Sequence, residues 1–243
     1  EALSISQNSF YGLSTDLLLT GNNYMAWAEG GTDGDGHFAG LAGLNLYPKS
    51  SFSIALLARS FQNGFYVRYS SPFSESGETN NESGMYLGFK VLPFKGVKIQ
   101  SYLDLFKFPA PRYNVDMPSS GIEALSNITC SINKFNTLTC RLKYEEKEKN
   151  YASVFSNEIK SYNKFSLKCA LKSELSTYIT LQSRIDYVRN TYSGKPENGW
   201  MISQDLFFDT PDKTLSVDTR LAFFSTDSYQ TGIYAYEPDV LYA

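Results

Sequence analysis

The chain has 243 residues, with 22 Lys and Arg against 25 Asp and Glu, so its formal net charge is −3 and it lacks the basic footprint of a nucleic-acid-binding segment. Hydrophobic residues make up 42% and charged residues 19%, which excludes a disordered chain, and no linker or compositional shift divides residues 1–243, which read as a single domain. There is no run of about 18 apolar residues and hence no membrane-spanning helix; 18 Tyr and 17 Phe beside 2 Trp call for a large core or a membrane interface.

In chain order, Phe10-Tyr11 is followed by a short turn at Gly21-Asn22 and by Tyr24 and Trp27. The Gly-rich stretch 30–36 reads as a flexible hairpin tip, because it lacks the third acidic position and the closing Glu of a calcium loop. A short turn at 47–50 leads into a strand at 52–59, and a long polar connection covers 60–84. After a turn at 92–96 come a strand at 97–106, a long connection at 107–121 and a strand at 122–133. The turn at 133–136, strand at 137–144, long connection at 145–160 and strand at 161–171 repeat the sequence of parts. So do the turn at 172–175, strand at 176–190, long connection at 190–199, strand at 200–209, turn at 210–213 and strand at 214–224.

Two-residue alternation runs through these strands and no helical stripe is sustained, so the fold is all-β. In 214–224, Leu215, Val217, Leu221 and Phe223 point one way and Ser216, Asp218, Arg220 and Ala222 the other. Short and long connections alternate strictly, which puts every short turn at one end of an up-and-down antiparallel sheet. This is the pattern of a porin-like transmembrane β-barrel. The count is about twelve strands, most near the roughly 9–11 residues that cross a bilayer at a tilt. Aromatic residues near strand ends, such as Trp200, Phe207-Phe208 and Phe223-Phe224, fit an interfacial girdle. A soluble antiparallel sandwich would also alternate, but it gives no reason for every second loop to be long, and its outward face should carry charge.

Residues fit for chemistry are few. His37 is the single histidine, so a Ser-His or Asp-His hydrolase would depend on it; no catalytic residue is assigned, and no cofactor or metal is expected. On the polar face, a two-residue turn at Pro211-Asp212 pairs Leu206 with Val217 and Phe208 with Leu215, which sets Asp205 opposite Asp218 and Ser203 opposite Arg220. With Arg184 and Asp186 of the neighbouring strand this makes a mixed-charge lumen cluster of Arg184, Asp186, Asp205, Asp218 and Arg220. The arginines are needed between the carboxylates. The segment 106–121, FKFPAPRYNVDMPSSG, is a structured loop stiffened by Pro109, Pro111 and Pro118. Within it Arg112 and Asp116, beside Ser119 and Ser120, are expected either to pair with each other as a staple or to face a ligand or partner. Cys130, Cys140 and Cys169 lie on apolar faces. A three-residue loop at 134–136 would put Cys130 directly opposite Cys140 on the outer face, as free thiols.

The stretch Tyr102-Leu103-Asp104-Leu105-Phe106-Lys107-Phe108-Pro109, running on to Arg112-Tyr113, Val115-Asp116 and Pro118-Ser119-Ser120-Gly121, resembles a motif in the C-terminal region of Bacteroidetes helix-hairpin-helix envelope proteins. So does the end of the chain, Ser225-Thr226-Asp227-Ser228-Tyr229, Ile233-Tyr234-Ala235-Tyr236-Glu237 and Asp239-Val240-Leu241-Tyr242-Ala243. The likeness covers roughly residues 40–243. This chain contains none of the helix-hairpin-helix repeats that precede the barrel region in that family, and it stops within the second motif, where relatives continue into more strands. The resemblance implies a barrel in the bacterial outer membrane with the lipid bilayer and envelope proteins as partners. The reading it supports is a non-enzymatic channel, scaffold or assembly partner; the alternative is a soluble or surface-attached β-rich binding module.

Overall fold

The computed structural model describes residues 11–68, 71–152, 157–212 and 214–235. The expectations for Phe10, for Lys213 and for the end motif from Tyr236 onward fall outside the described residues. Twelve strands follow one another: β1 (Gly12–Thr20), β2 (Tyr24–Asp33), β3 (Phe38–Lys49), β4 (Phe52–Phe61), β5 (Glu82–Val91), β6 (Val97–Phe108), β7 (Ser119–Ser131), β8 (Asn136–Ala152), β9 (Asn157–Glu174), β10 (Ile179–Tyr192), β11 (Lys195–Asp209) and β12 (Ser216–Thr226). They form one antiparallel sheet in which each strand pairs with its neighbours in sequence, β1 to β12. The up-and-down, all-β order inferred from alternation and turn spacing is therefore the observed one. Among the described residues β1 pairs only with β2 and β12 only with β11, so the sheet is not closed.

Alternation divides the sheet into two unlike faces, because successive side chains of a strand point to opposite sides. On β10 and β11 one face carries buried Asp186, Val188, Asn190, Met201, Ser203 and Asp205, and the other carries Ile185, Trp200, Ile202 and Leu206, all exposed. The loops fold over the first face, called inner here. The outer face lies bare: Leu215, Val217, Leu221 and Phe223 point outward and are exposed, and neither a second sheet nor a helix covers them among the described residues.

The short connections lie together at one end, where each is tied to the next by a backbone hydrogen bond. The amide of Tyr47 donates to Asn23 (2.7 Å), Leu92 to Ser51 (2.8 Å), Ser131 to Gly96 (2.8 Å), Glu174 to Phe135 (2.8 Å) and Asp209 to Tyr178 (3.0 Å). Local chemistry shapes each turn. Pro48 cannot donate to a ladder, and the β3–β4 register shifts between Leu46 and Lys49 around it. Gly96 closes the β5–β6 turn at φ +87°, where a side chain would strain the backbone.

Four details differ from the expected layout. The stretch 30–36 is mostly strand: β2 runs to Asp33, whose carboxylate accepts from the amides of Asp35 (3.0 Å) and His37 (2.9 Å) and holds a tight tip. The connection expected at 190–199 is a two-residue turn, Ser193-Gly194, with φ +52° and +77°, the geometry that suits a twisted hairpin. The strict alternation of short and long connections is thereby broken. The long connection expected at 145–160 is likewise mostly strand, since β8 runs to Ala152 and β9 starts at Asn157; the two reach 17 and 18 residues, longer than the roughly 9–11 that span a bilayer. The turn placed at 172–175 lies at 175–178, where the Ser176 hydroxyl accepts from the amides of Tyr178 (3.2 Å) and Ile179 (3.1 Å).

Two registers also differ, each by two residues. The β11–β12 connection spans 210–215 instead of two residues, because the Thr210 hydroxyl accepts from the Leu215 amide (3.0 Å) and Asp212 accepts from the Thr214 hydroxyl (2.9 Å). Leu206 then meets Thr219 and Phe208 meets Val217, while Asp205 stands opposite Arg220 and not opposite Asp218. In the β7–β8 turn the Asn133 carboxamide accepts from the amides of Phe135 and Asn136, both at 2.9 Å, so Asn133 belongs to the turn and not to the ladder. Cys130 accordingly faces Leu138, Ile128 faces Cys140, and the directly opposite cysteines are Cys140 and Cys169, across β8 and β9. All three cysteines are free thiols.

Candidate functional site

The inner face of β4–β6 is built around Arg59. Arg59 stands opposite Gly84 of β5, and a Cβ at that glycine would lie 2.6 Å from the guanidinium carbon. With no side chain in the way, the guanidinium crosses β5 to reach β6. Its Nε donates to Glu82 at 2.6 Å, and Nη1 and Nη2 donate to the two oxygens of Asp104 at 2.8 and 3.1 Å. All three residues are buried, and Glu82 is 0% exposed. Charges taken out of water cost several kcal/mol each unless their remaining lone pairs are filled. Here the 62–81 loop fills them: Glu82 also accepts from the amides of Glu75 (2.8 Å) and Ser76 (3.1 Å) and from the Ser76 hydroxyl (3.1 Å).

From that loop the charges continue across the sheet. Glu75 pairs with Lys147 of β8, Lys147 with Glu145 at 2.9 Å, and Lys143 with Glu145 at 3.3 Å and with Glu123 of β7 at 2.8 Å. The Tyr102 hydroxyl donates to Glu123. Phe73 of the loop sets its ring edge against Tyr86 (centroids 5.1 Å apart) and lies 5.6 Å from the Arg59 guanidinium. Asn81 fastens this loop to the next one, donating to the Ala110 carbonyl and accepting from the Ala110 amide, both at 2.8 Å. The β4–β5 loop is thus bonded down onto the inner face.

The lumen cluster read from β10–β12 is partly assembled. Arg184 pairs with Asp186, and Arg220 grips Asp205 with two bonds, Nε at 2.6 Å and Nη2 at 2.8 Å. Asp218 stands opposite Phe207, exposed and outside the two pairs. The expected Arg112–Asp116 staple does not form. Instead the backbones of Arg112 and Val115 bond each other in both directions at 2.9 Å around a turn with Asn114 at φ +61°, and the Asp116 amide donates to Asn150 at 2.9 Å. A turn this tight leaves the Arg112 guanidinium stacked on Phe108, 3.9 Å from the ring centroid. Burial pushes that guanidinium below its ordinary pKa, against the opposing pull of Glu75 and Glu82. Ser119 is buried with an unpartnered hydroxyl, and Ser120 faces outward, its hydroxyl donating to Glu148 at 3.1 Å. The ring of His37 bonds Asp33 at 3.0 Å.

At the loop end the inner face opens into a cleft of about 650 Å³ between the 109–118 loop, β8–β11 and the 3-10 turn Tyr229–Thr231. Among the described residues Arg112, Lys147, Lys149 and Lys195 bring four cations to its wall against one carboxylate, Glu197. Lys149 sits 3.4 Å from the centre of the Tyr162 ring. Neither the Arg59 network nor this cleft was anticipated from the sequence. The available signal was an inward-pointing charge on each of β4, β5 and β6, at Arg59, Glu82 and Asp104, which becomes visible only once those strands are placed in register.

No family model matches the chain. No curated protein matches it closely enough to be called a relative.

Proposed function

We propose that this chain forms the wall of a β-barrel in a bacterial outer membrane and acts without catalysis, as a scaffold or binding platform whose interior is obstructed by its own loop. One observation carries the reading: the polarity of the sheet is inverted relative to a soluble protein. Asp186 and Glu82 are 0% exposed on the loop-covered face, while Ile202 and Phe223 are 50% and 62% exposed on the bare one. A bare apolar face of this extent is stable against lipid and aggregation-prone in water. The loop bonded through Glu75, Ser76 and Phe73 over the inner face of β4–β8 disfavours a wide pore. The likeness of segment 102–121 to Bacteroidetes envelope proteins agrees with this localisation.

Gel migration of the detergent-purified chain tests the reading. A closed barrel shifts mobility between unheated and boiled samples, inserts into lipid vesicles and leaves them impermeable to large solutes. A chain that stays monomeric without detergent, shows no heat shift and ignores vesicles would sink it. That outcome would favour a β-rich binding module, a reading supported by the outer edges of β1 and β12, which pair with no further strand among the described residues.

A further inference from the structure

We infer that the loop-end cleft is a binding site for a hydroxylated organic anion of the uronate type, a sugar ring bearing a carboxylate. The charge balance of the wall gives the first argument. Lys147 is matched by Glu75 and Glu145, but among the described residues Arg112, Lys149 and Lys195 have no carboxylate within ion-pair distance. Like charges also stand directly opposite one another on the inner face of β8 and β9, Lys149 against Lys160 and Arg141 against Lys168. Such pairs are unfavourable; Lys149 lines the cleft, where an anion offsets its charge, while Lys160 pairs with Glu158 at 3.9 Å and Arg141 and Lys168 line the neighbouring cavity.

Two buried polar groups in the cleft wall give a second, independent argument. Asn190 is 2% exposed, and among the described residues its Oδ1 has no donor and the buried Nε of Arg112 has no acceptor. Each such group costs about 1–3 kcal/mol if left unmet. A carboxylate supplies the acceptor that Arg112 and Lys149 lack; a hydroxyl supplies the donor that Asn190 lacks. Sulfate brings no donor for Asn190, and a neutral sugar brings donors and acceptors but no charge to match the cations. The rim adds an aromatic surface: Tyr113, at the tip of the 109–118 loop, is 91% exposed and lines the cleft, free to lie on the apolar face of a sugar ring. A second cavity of about 360 Å³ lies on the other side of Lys149 and Tyr162, which line both.

Titration calorimetry on the full chain in detergent, with D-glucuronate, D-glucose and sulfate as separate probes, tests this. Glucuronate should bind saturably, with glucose and sulfate at least tenfold weaker. Arg112→Gln, Lys149→Gln and Tyr113→Ala should each weaken glucuronate at least fivefold. Tyr113 is so exposed that its replacement leaves the fold intact, and the heat shift on gels checks the other two. Absence of glucuronate binding, equal binding of sulfate or glucose, or affinities unchanged in folded variants would each overturn the proposal.

Discussion

Gly84 stands directly opposite Arg59, and the space it leaves lets the guanidinium pass over β5 to Asp104. A methyl group there would sit 2.6 Å from the guanidinium carbon. Arg59 is held at both ends, by Glu82 and by Asp104, so it cannot move aside without losing a bond. Gly84→Ala should therefore destabilise the fold by about 1–3 kcal/mol, the range for overpacking a close-packed site. Gly30→Ala is the control, because its nearest neighbour atom would be 3.9 Å away. Equal unfolding midpoints in urea for the two variants would refute this account.

Removing the arginine should cost more than crowding it. Arg59→Met leaves the carboxylates of Glu82 and Asp104 buried without their cation, a change worth about 3–5 kcal/mol. Neutralising all three in Arg59→Met/Glu82→Gln/Asp104→Asn should recover part of the loss, since no uncompensated charge is left. A triple variant less stable than Arg59→Met alone would show that the network stabilises through bonding geometry and not through charge balance.

The two-pronged contact of Arg220 with Asp205 predicts a coupling. Asp205→Asn weakens both bonds and should cost about 1.5–3 kcal/mol, the range for hydrogen bonds to charged groups. The exchange Asp205→Arg/Arg220→Asp should be more stable than the sum of its single changes implies, read as a double-mutant cycle on urea unfolding. Strict additivity would mean that the pair contributes nothing of its own.

These contacts show what alternation can and cannot encode. The faces of Leu215, Val217, Leu221 and Phe223 and of the three cysteines were legible, because a two-residue period assigns each side chain to one side of the sheet. Register was not. Sliding β12 past β11 or β8 past β7 by two residues keeps every apolar residue facing an apolar side, so the expected and observed pairings satisfy the same pattern. The difference lies in turn chemistry: the Asn133 carboxamide and the Thr210 hydroxyl each lengthen a loop by capping amides within it. The Asp205–Arg220 pair follows from that longer loop, since the shorter one would have set two carboxylates face to face. The Arg59 network was illegible for a related reason: its members lie 23 and 45 residues apart, and only the correct registers of three strands bring them together.

Cys140 and Cys169 provide a chemical readout of register. They are directly opposite on the outer face of β8 and β9, both as free thiols, and opposite residues in an antiparallel pair have Cα atoms about 4.5–5.5 Å apart. Cys130 stands opposite Leu138, which makes it only a diagonal neighbour of Cys140, at about 7–8 Å. A direct disulfide across adjacent strands is strained, so a short two-armed thiol reagent such as dibromobimane, fluorescent once both arms have reacted, is the better probe. Treatment of the detergent-solubilised chain should give a fluorescent, internally bridged product whose mass shows one bimane per chain. Cys140→Ser and Cys169→Ser should each abolish it, and Cys130→Ser should leave most of it. The opposite result, loss in Cys130→Ser with retention in Cys169→Ser, would place Cys130 across from Cys140 and move the β7–β8 register by two residues.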